Sequence, residues 1–119
     1  MFPDILSTLL GRIEGSEWAM VVGLDGIVLE SAPAAMGSGA DQLAAEYASL
    51  VRVSQRATAQ LGAGTFRGSL LFATESKIVL EILTPEYFLA MGLTSAGHAA
   101  RARFEISRAR DLLERELVF

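Results

Sequence analysis

The sequence predicts an α+β domain, in which a five-stranded antiparallel sheet carries helices on both of its faces. Short apolar runs between turn residues predict five strands, and apolar residues at helical spacing predict three helices. The strands are apolar on both sides, so both faces of the sheet need cover. The predicted order is α-β-β-α-β-β-β-α. A chain of 119 residues is long enough for one core and too short for two, so we expect a single domain over residues 1–119.

The first helix is predicted over residues 3–13. Its isoleucines and leucines recur at intervals of three and four, as in an amphipathic helix. Pro3 suits the first turn of a helix, and Gly15 suits its end.

The first two strands are predicted to form a hairpin over residues 17–31. The central segment 21–31 reads Val-Val-Gly-Leu-Asp-Gly-Ile-Val-Leu-Glu-Ser. Its Asp-Gly pair at 25–26 is typical of a type I′ turn, a two-residue loop whose central residues both have positive φ. In that register Val22 faces Leu29 and Met20 faces Ser31. Both sides of the hairpin are then largely apolar, which is the main reason for expecting helices on both faces.

A loop of small residues at 32–40 leads to the longest predicted helix, which spans residue 41 to about residue 61 and is expected to end at Gly62-Ala63-Gly64. This helix combines an apolar stripe with many small side chains, which let a second helix approach closely. A helix of this composition is expected to have two neighbours rather than one. The stripe consists of Leu43, Tyr47, Leu50, Val51, Ala57 and Leu61, and the small positions are Ala44, Ala45, Ala48, Ser49, Ser54, Ala57 and Thr58.

Three further strands are predicted at residues 65–73, 77–83 and 87–93. In the first of them, Phe66, Leu70 and Phe72 are expected in one phase and Leu71 in the other. A final helix is predicted to end near residue 117, with arginines and acids interspersed around its outer faces. Its apolar stripe consists of Ala99, Ala102, Ile106, Ala109, Leu113 and Leu117.

Composition points to a self-associating protein. Hydrophobic residues make up 51% of the chain, and the mean hydropathy is +0.38. No apolar run approaches the length of about 20 residues that spans a bilayer. We therefore expect part of the apolar surface to be buried between subunits, with no insertion into a membrane. The first residues lack the pattern of a signal peptide and the chain has no cysteine, so we expect a cytoplasmic protein.

The charge argues against general binding of nucleic acid. The net charge is −4, whereas such binding needs a field of Lys and Arg to displace counterions. The arginines of the last helix are interspersed with acids, so an ordinary solvated face is favoured over a nucleic-acid or anionic-lipid face. Binding of a protein partner is an intermediate interpretation, since arginine is common at interfaces.

No pattern in the sequence predicts catalysis, a metal site or a cofactor. His98 is the single histidine, and neither a second ligand nor a catalytic partner is spaced to join it. The segment Gly37-Ser38-Gly39 lacks the Lys-Ser/Thr ending of a phosphate-binding loop, so a connector explains it better. Glu30 and Glu81 are unusual because each stands in an apolar strand. We favour a structural role for both, such as a place at a sheet edge or a pair with an arginine.

The order of elements, together with the hairpin at residues 21–31, resembles the roadblock family of dynein light chains and its prokaryotic relatives. The resemblance covers nearly the whole chain and is greatest to the free-standing, MglB-like bacterial members. Its most specific element is the apolar-Asp-Gly-apolar hairpin, which follows a short helix and precedes a small-residue loop and a long alanine-rich helix. The related longin fold would account for a similar pattern.

The resemblance implies a homodimer or heterodimer in which the second helices pack together and the third strands pair. The expected dimer interface consists of Leu43, Tyr47, Leu50, Val51 and Ser54 on the long helix and Phe66, Leu70 and Phe72 on the third strand. The expected partner surface is the polar side of the same helix, at Glu46, Arg52 and Arg56. The alternative for these three is that their charges only keep the dimer soluble.

The resemblance also implies a function. Roadblock-like proteins often bind Ras-like or Rag-like small GTPases, and MglB-like members promote GTP hydrolysis without supplying an arginine finger. The hypothesis is a non-enzymatic, dimeric regulator or scaffold of a prokaryotic Ras-like small GTPase. The first alternative is a structural dimerisation adaptor in a signalling or motility assembly, without effect on hydrolysis. A second alternative is a small-ligand sensor that uses the sheet and residues 32–40.

Overall fold

A computed structural model of the chain describes residues 2–33 and 39–118. Within them, five antiparallel strands form one sheet in the order β2-β1-β5-β4-β3, and three helices flank it. The predicted fold class and order of elements are thereby confirmed. The elements are α1 (Phe2–Arg12), β1 (Ser16–Gly23), β2 (Val28–Ala32), α2 (Ala40–Gln60), β3 (Gly68–Phe72), β4 (Ser76–Thr84), β5 (Tyr87–Thr94) and α3 (Ala99–Glu116).

Residues 34–38 lie outside the described part of the chain. They include most of the predicted loop at 32–40 and two residues of the Gly37-Ser38-Gly39 segment. The predictions made for that loop and that segment therefore stay predictions.

The sheet separates two hydrophobic clusters. Successive residues of a strand point to opposite faces, so Ala19 and Val21 contribute to one cluster while Met20 and Val22 contribute to the other. The first cluster is covered by α1 and α3 and the second by α2. The inference that both faces of the sheet are buried is confirmed, and the two faces differ in how many helices cover them.

The hairpin loop differs from the predicted type I′ turn. The loop is wider than two residues, because Gly23 N donates to Ile27 O over 2.9 Å and Gly26 N donates to Gly23 O over 2.9 Å. Gly26 has a φ of +88°, whereas no described non-glycine residue, Asp25 included, has a positive φ. The Asp25 side chain instead accepts a hydrogen bond from Ile27 N over 3.1 Å. The type I′ prediction is wrong because this bond stabilises a loop that needs only one left-handed residue.

The wider loop shifts the register of the hairpin near its tip. Met20 lies opposite Ser31, as the sequence predicts, but an irregularity between Val21 and Val22 places Val22 opposite Val28. Val28 therefore joins the cluster beneath α2, while Leu29 is exposed. The predicted pairing of Val22 with Leu29 is wrong, because a shift of one residue moves side chains to the other face.

The second helix lies on the sheet through its small residues. Ala44, Ala48 and Val51 are buried against the sheet, and the larger Leu43 and Leu50 point away from it. The strands below already carry bulky side chains, so only small residues fit between them and the helix. Of the predicted apolar stripe, Val51 therefore packs against the sheet of its own subunit, whereas Leu43 and Leu50 do not.

Glycine ends the second helix as predicted. Gly62 adopts a φ of +65° and donates its N–H to Ala59 O over 3.1 Å. Ala63 N donates to Thr58 O over 3.2 Å, and these two bonds are those of a Schellman motif.

The third strand is shorter than predicted and begins only at Gly68. Phe66 precedes the regular ladder and packs against the α2-side cluster, whereas Leu70 packs against the other cluster. Their predicted common phase is wrong, because the period of two holds only where the strand is regular. The apolar stripe of α3 is confirmed, since all six of its residues belong to or pack against the cluster shared with α1.

Candidate dimer and partner surface

The outer face of α2 carries an apolar strip. Leu43, Leu50 and Val53 are 40%, 44% and 51% exposed, and their spacing of seven and three residues places them on one side of the helix. Tyr47 lies between the first two and is half-buried. Scattered exposed leucines are ordinary, but a contiguous strip of this kind is typical of an interaction site.

Tyr47 is held in place by Trp18 of β1. The two rings stack with centroids 6.3 Å apart and planes inclined by 18°. The indole of Trp18 lies over Gly92 of β5, where a Cβ atom would come within 2.2 Å of the indole Nε1. Burial raises the pKa of Tyr47 above its ordinary value, because it penalises the charged phenolate. The glycine, the indole and the phenol thus form a stack that joins the sheet to the exposed strip.

The third strand is an edge of the sheet, next to the part of the α2 face that the helix does not fully cover. β3 pairs only with β4 within the described sheet, so the backbone groups along its other side lie open to a further strand. Phe72 is 72% exposed at its end. The neighbouring apolar side chains on the α2 side are only half-buried; they are Phe66, Leu71, Ile78 and Ile82.

The structure brings together some of the predicted interface residues and separates others. Leu43, Tyr47 and Leu50 share the exposed strip on α2, and Ser54 is half-buried one turn beyond Leu50. Val51 is 1% exposed and belongs to the core of the subunit. Phe66 lies on the α2 side beside the β3 edge, whereas Leu70 packs towards α1 and α3. Phe72 shares the phase of Leu70 but is exposed at the end of the strand. Val51 and Leu70 are therefore left out of the surface proposed below.

The predicted partner residues Glu46, Arg52 and Arg56 are all exposed on α2. Arg52 has a structural role as well, because its Nη1 donates a hydrogen bond to the carbonyl oxygen of Leu24 in the hairpin loop. Glu46 borders a shallow cleft of about 370 Å³ near the start of the helix, together with Gly39, Gln42 and Leu43.

Glu81 is buried and bound to arginines of α3, which is one of the structural roles that the sequence analysis considered. Arg103 Nε donates to Glu81 Oε1 over 2.7 Å, and Arg110 Nη2 lies 3.8 Å from Glu81 Oε2. Glu30 is half-buried and accepts a long hydrogen bond of 3.4 Å from Ser31 N. The pairing of Glu81 could not be read from the sequence, because the partners lie 22 and more residues away.

His98 is exposed immediately before the first residue of α3, where its side chain makes no capping hydrogen bond. The described ranges 2–33 and 39–118 contain no group of three or more His, Cys, Asp or Glu placed to hold a metal ion. Within the same ranges, no helix combines the length and hydrophobicity needed to cross a membrane.

The sequence analysis did not single out Val53 of the exposed strip or Trp18, which stacks on Tyr47 beside it. Both residues fit equally well in a hydrophobic core.

Several solved structures share this fold. The chain matches the Roadblock/LC7 domain from Streptomyces avermitilis with a TM-score of 0.90 and 19% identity, over 98% of both chains. It matches Myxococcus xanthus MglB with a TM-score of 0.87 and 16% identity, over 97% of this chain and 93% of that one. An MglB described with a tetrameric arrangement gives a TM-score of 0.82 and 19% identity, over 94% of this chain and 84% of that one.

The sequence itself supports the same assignment. A search of curated proteins found no match. The family model of the Roadblock/LC7 domain, however, matches residues 4–93, which include α1, the hairpin, α2 and most of the remaining sheet. The chain therefore belongs to the Roadblock/LC7 domain family.

Proposed function

We propose that this protein is a non-enzymatic, dimeric regulator or scaffold that binds a prokaryotic Ras-like small GTPase. The observation that carries the proposal is the asymmetry of the sheet: in the part of the chain that the structure describes, α1 and α3 cover one face, whereas only α2 covers the other. An exposed apolar strip on α2 and an open β3 edge lie together on the less covered side. This combination suits association with a second copy and then with a partner.

In the proposed homodimer, α2 packs against α2 and the two β3 edges pair, so that one sheet runs through both subunits. The arrangement is isologous, since each chain offers the same strip of Leu43, Tyr47, Leu50 and Val53 and the same edge with Phe72. The half-buried side chains beside β3 would be covered by the second copy. Support comes from the structural neighbour MglB, for which a tetrameric arrangement is described.

The GTPase would contact the polar side of the paired helices, around Arg56. Glu46, three residues from Leu43 and four from Leu50, lies on the same side of α2 as the apolar strip, so it would reach the GTPase from the edge of the dimer contact. Arg52 contributes less in this proposal, because its guanidinium is already bound to Leu24 O. Any stimulation of hydrolysis would come from repositioning the residues of the GTPase itself. A cytoplasmic location is part of the proposal, since Ras-like GTPases draw on cytoplasmic GTP.

A pull-down from lysate of the native cell, with and without a GTP analogue and read by mass spectrometry, tests the proposal. We expect a small GTPase that is retained preferentially with the analogue. The variant Arg56→Glu should lose it, whereas Arg115→Glu, a matched change on α3, should retain it. Hydrolysis by the recovered GTPase would then be measured with and without the protein. Recovery of structural proteins alone, indifferent to nucleotide, would contradict regulation and favour the adaptor.

A further inference from the structure

A second cleft, of about 370 Å³, lies on the opposite side of the sheet from α2. It is formed where the outer side of α3 meets β4 and the segment before β3, and we name it the α3–β4 cleft. Three arginines, a hydroxyl and an exposed aromatic ring line it, with a single acid. The lining residues on which the argument rests are Arg67, Glu81, Arg103, Phe104, Ser107 and Arg110.

Glu81 forms the rigid floor of this cleft. Its side chain is 8% exposed, whereas that of Arg103 is 60% exposed, so the carboxylate lies beneath the guanidinium that it binds. Arg110 is held from two sides, by Glu81 and by a hydrogen bond from its Nη1 to the carbonyl oxygen of Ile82. Gly68 permits this arrangement, because a Cβ atom there would lie 2.9 Å from Glu81 Oε2. A buried carboxylate thus orients two cations towards the surface.

The arginines retain donors that Glu81 does not use. Arg103 binds Glu81 through Nε, so its two terminal amino groups remain for another acceptor. In the part of the chain that the structure describes, the exposed side chain of Arg67 makes no hydrogen bond or ion pair. Glu81 binds Arg103 and Arg110, and Arg110 also lies 4.0 Å from Glu114 Oε1 at the margin of the cleft. Three arginines against these two carboxylates leave one positive charge in excess. This local excess stands out on a chain whose net charge is −4.

At the rim of the cleft, arginines again lie at the surface above a buried glutamate. Phe104 is 54% exposed, and the guanidinium carbons of Arg101 and Arg108 each lie 5.8 Å from the centroid of its ring. Glu105, which pairs with Arg108 over 3.3 Å, is buried. Glu81 and Glu105 therefore lie inside, and the arginines Arg103 and Arg108 that bind them lie at the surface on either side of an apolar ring.

We propose that the α3–β4 cleft binds a carboxylate side chain of an acidic segment of a partner protein, with an adjacent apolar residue against Phe104. Guanidinium groups fixed by a buried carboxylate match the planar geometry of a second carboxylate. A flat anionic membrane fits less well, because the charge excess is confined to one concavity and the chain as a whole is acidic. The cleft opens on the α3 side of the sheet, opposite α2, so a dimer would present two copies of it; only Arg67, which directly precedes β3, lies next to the proposed dimer contact.

Titration of the ¹⁵N-labelled full chain with an acetylated octapeptide of alternating glutamate and leucine tests this proposal by NMR. We expect saturable shifts of the amides around residues 67, 81, 103 and 107, and none with the glutamine-for-glutamate counterpart. Arg67→Gln should weaken binding about tenfold, the loss expected for one charge-assisted hydrogen bond. Arg115→Gln makes an equal change of charge on α3, outside the cleft, and should leave the affinity within about twofold.

Arg67 is chosen because it is exposed, and thermal melting will verify that the variant folds as the parent does. Equal weakening by Arg67→Gln and Arg115→Gln would overturn the proposal, since it would indicate only general charge attraction. Binding of the glutamine peptide with equal affinity would overturn it too. So would shifts produced by inorganic phosphate or by phosphatidylserine vesicles when the peptide produces none. The experiment involves no GTPase, and sedimentation equilibrium of Arg67→Gln shows separately whether the dimer is retained, so its failure is distinguishable from failure of the proposed function.

Discussion

The chain contains one tryptophan, and the indole of that residue, Trp18, lies directly over Gly92 on the neighbouring strand. A strand glycine has no side chain to pack, and an aromatic ring across the ladder fills that space. Because the same indole stacks on Tyr47, the glycine helps to position the ring that lies between Leu43 and Leu50 on α2. Two predictions follow from this stack at the scale of single residues.

Gly92→Ala should displace the indole, because the added Cβ would lie 2.2 Å from its Nε1. We expect a loss of about 1–3 kcal/mol in the free energy of unfolding, the usual cost of overpacking, and a shift in tryptophan emission. Urea denaturation followed by fluorescence measures both. The control is Gly11→Ala in α1, where a Cβ would meet nothing within 4 Å and alanine should stabilise the helix by up to about 1 kcal/mol. An unchanged emission maximum in Gly92→Ala would contradict the stacked arrangement.

Tyr47 should make the stability of the fold fall at alkaline pH. Its pKa is raised in the folded state from the ordinary 10.0, so below pH 10.0 the phenol is protonated in both states and contributes no pH dependence. Above that pH the unfolded chain loses the proton first, and stability declines until the folded-state pKa is passed. Tyr47→Phe removes this contribution. The free energy of unfolding, measured from pH 9 upwards, should therefore fall more steeply with pH in the parent protein than in Tyr47→Phe. Parallel profiles would refute the assignment.

At the scale of elements, the hairpin and α2 are adapted to each other through glycine and alanine. Gly26 in the loop has a positive φ, and a Cβ atom there would lie 3.3 Å from the Cα of Ala45. Arg52 of the same helix binds the loop carbonyl of Leu24. The small residues of α2 thus allow the hairpin tip to lie close against the helix, in addition to letting the helix approach the sheet.

Gly26→Val should destabilise the fold by about 1 kcal/mol or more, because a side chain is strained at positive φ and also meets α2. Gly62→Val provides the matched comparison, since Gly62 has a φ of +65° and nothing lies within 4 Å of its missing Cβ. The hairpin variant should therefore lose more stability than the helix-end variant. Chemical denaturation of both proteins measures the difference, and an equal loss would indicate that the contact with Ala45 is unimportant.

At the scale of the whole molecule, the described residues 2–33 and 39–118 form an unevenly covered sheet, with two helices on one face and one on the other. Domains of this kind bury their remaining apolar face against another element or another chain. In the proposed dimer, the second copy covers this apolar face. The exposed strip on α2 is the part of the dimer contact most accessible to substitution.

Leu50→Glu should convert the dimer into a monomer, because it would place two carboxylates in an apolar contact near the symmetry axis. Sedimentation equilibrium measures the mass directly. Leu112→Glu is the matched control on α3, since Leu112 is 50% exposed and Leu50 is 44% exposed, on opposite sides of the sheet. A dimer that survives Leu50→Glu, or dissociates equally in both variants, would argue against the proposed interface.

The sequence by itself determined the number, kind and order of elements, because period and turn chemistry are local properties of the chain. The five apolar runs, the stripe of α3 from Ala99 to Leu117 and the glycine end of α2 are all confirmed. The need for cover on both faces followed from the same local patterns.

Only the tertiary structure decided which residues meet across elements. The register shift beside Val22 depends on one side-chain hydrogen bond in the loop, and a one-residue shift is enough to expose Leu29. Which side of α2 lies inward depends on the space left by the bulky strands below it. The pairing of Glu81 with Arg103 and Arg110 depends on where α3 crosses β4. Such contacts join residues distant in the chain, so neither local propensity nor periodicity contains them.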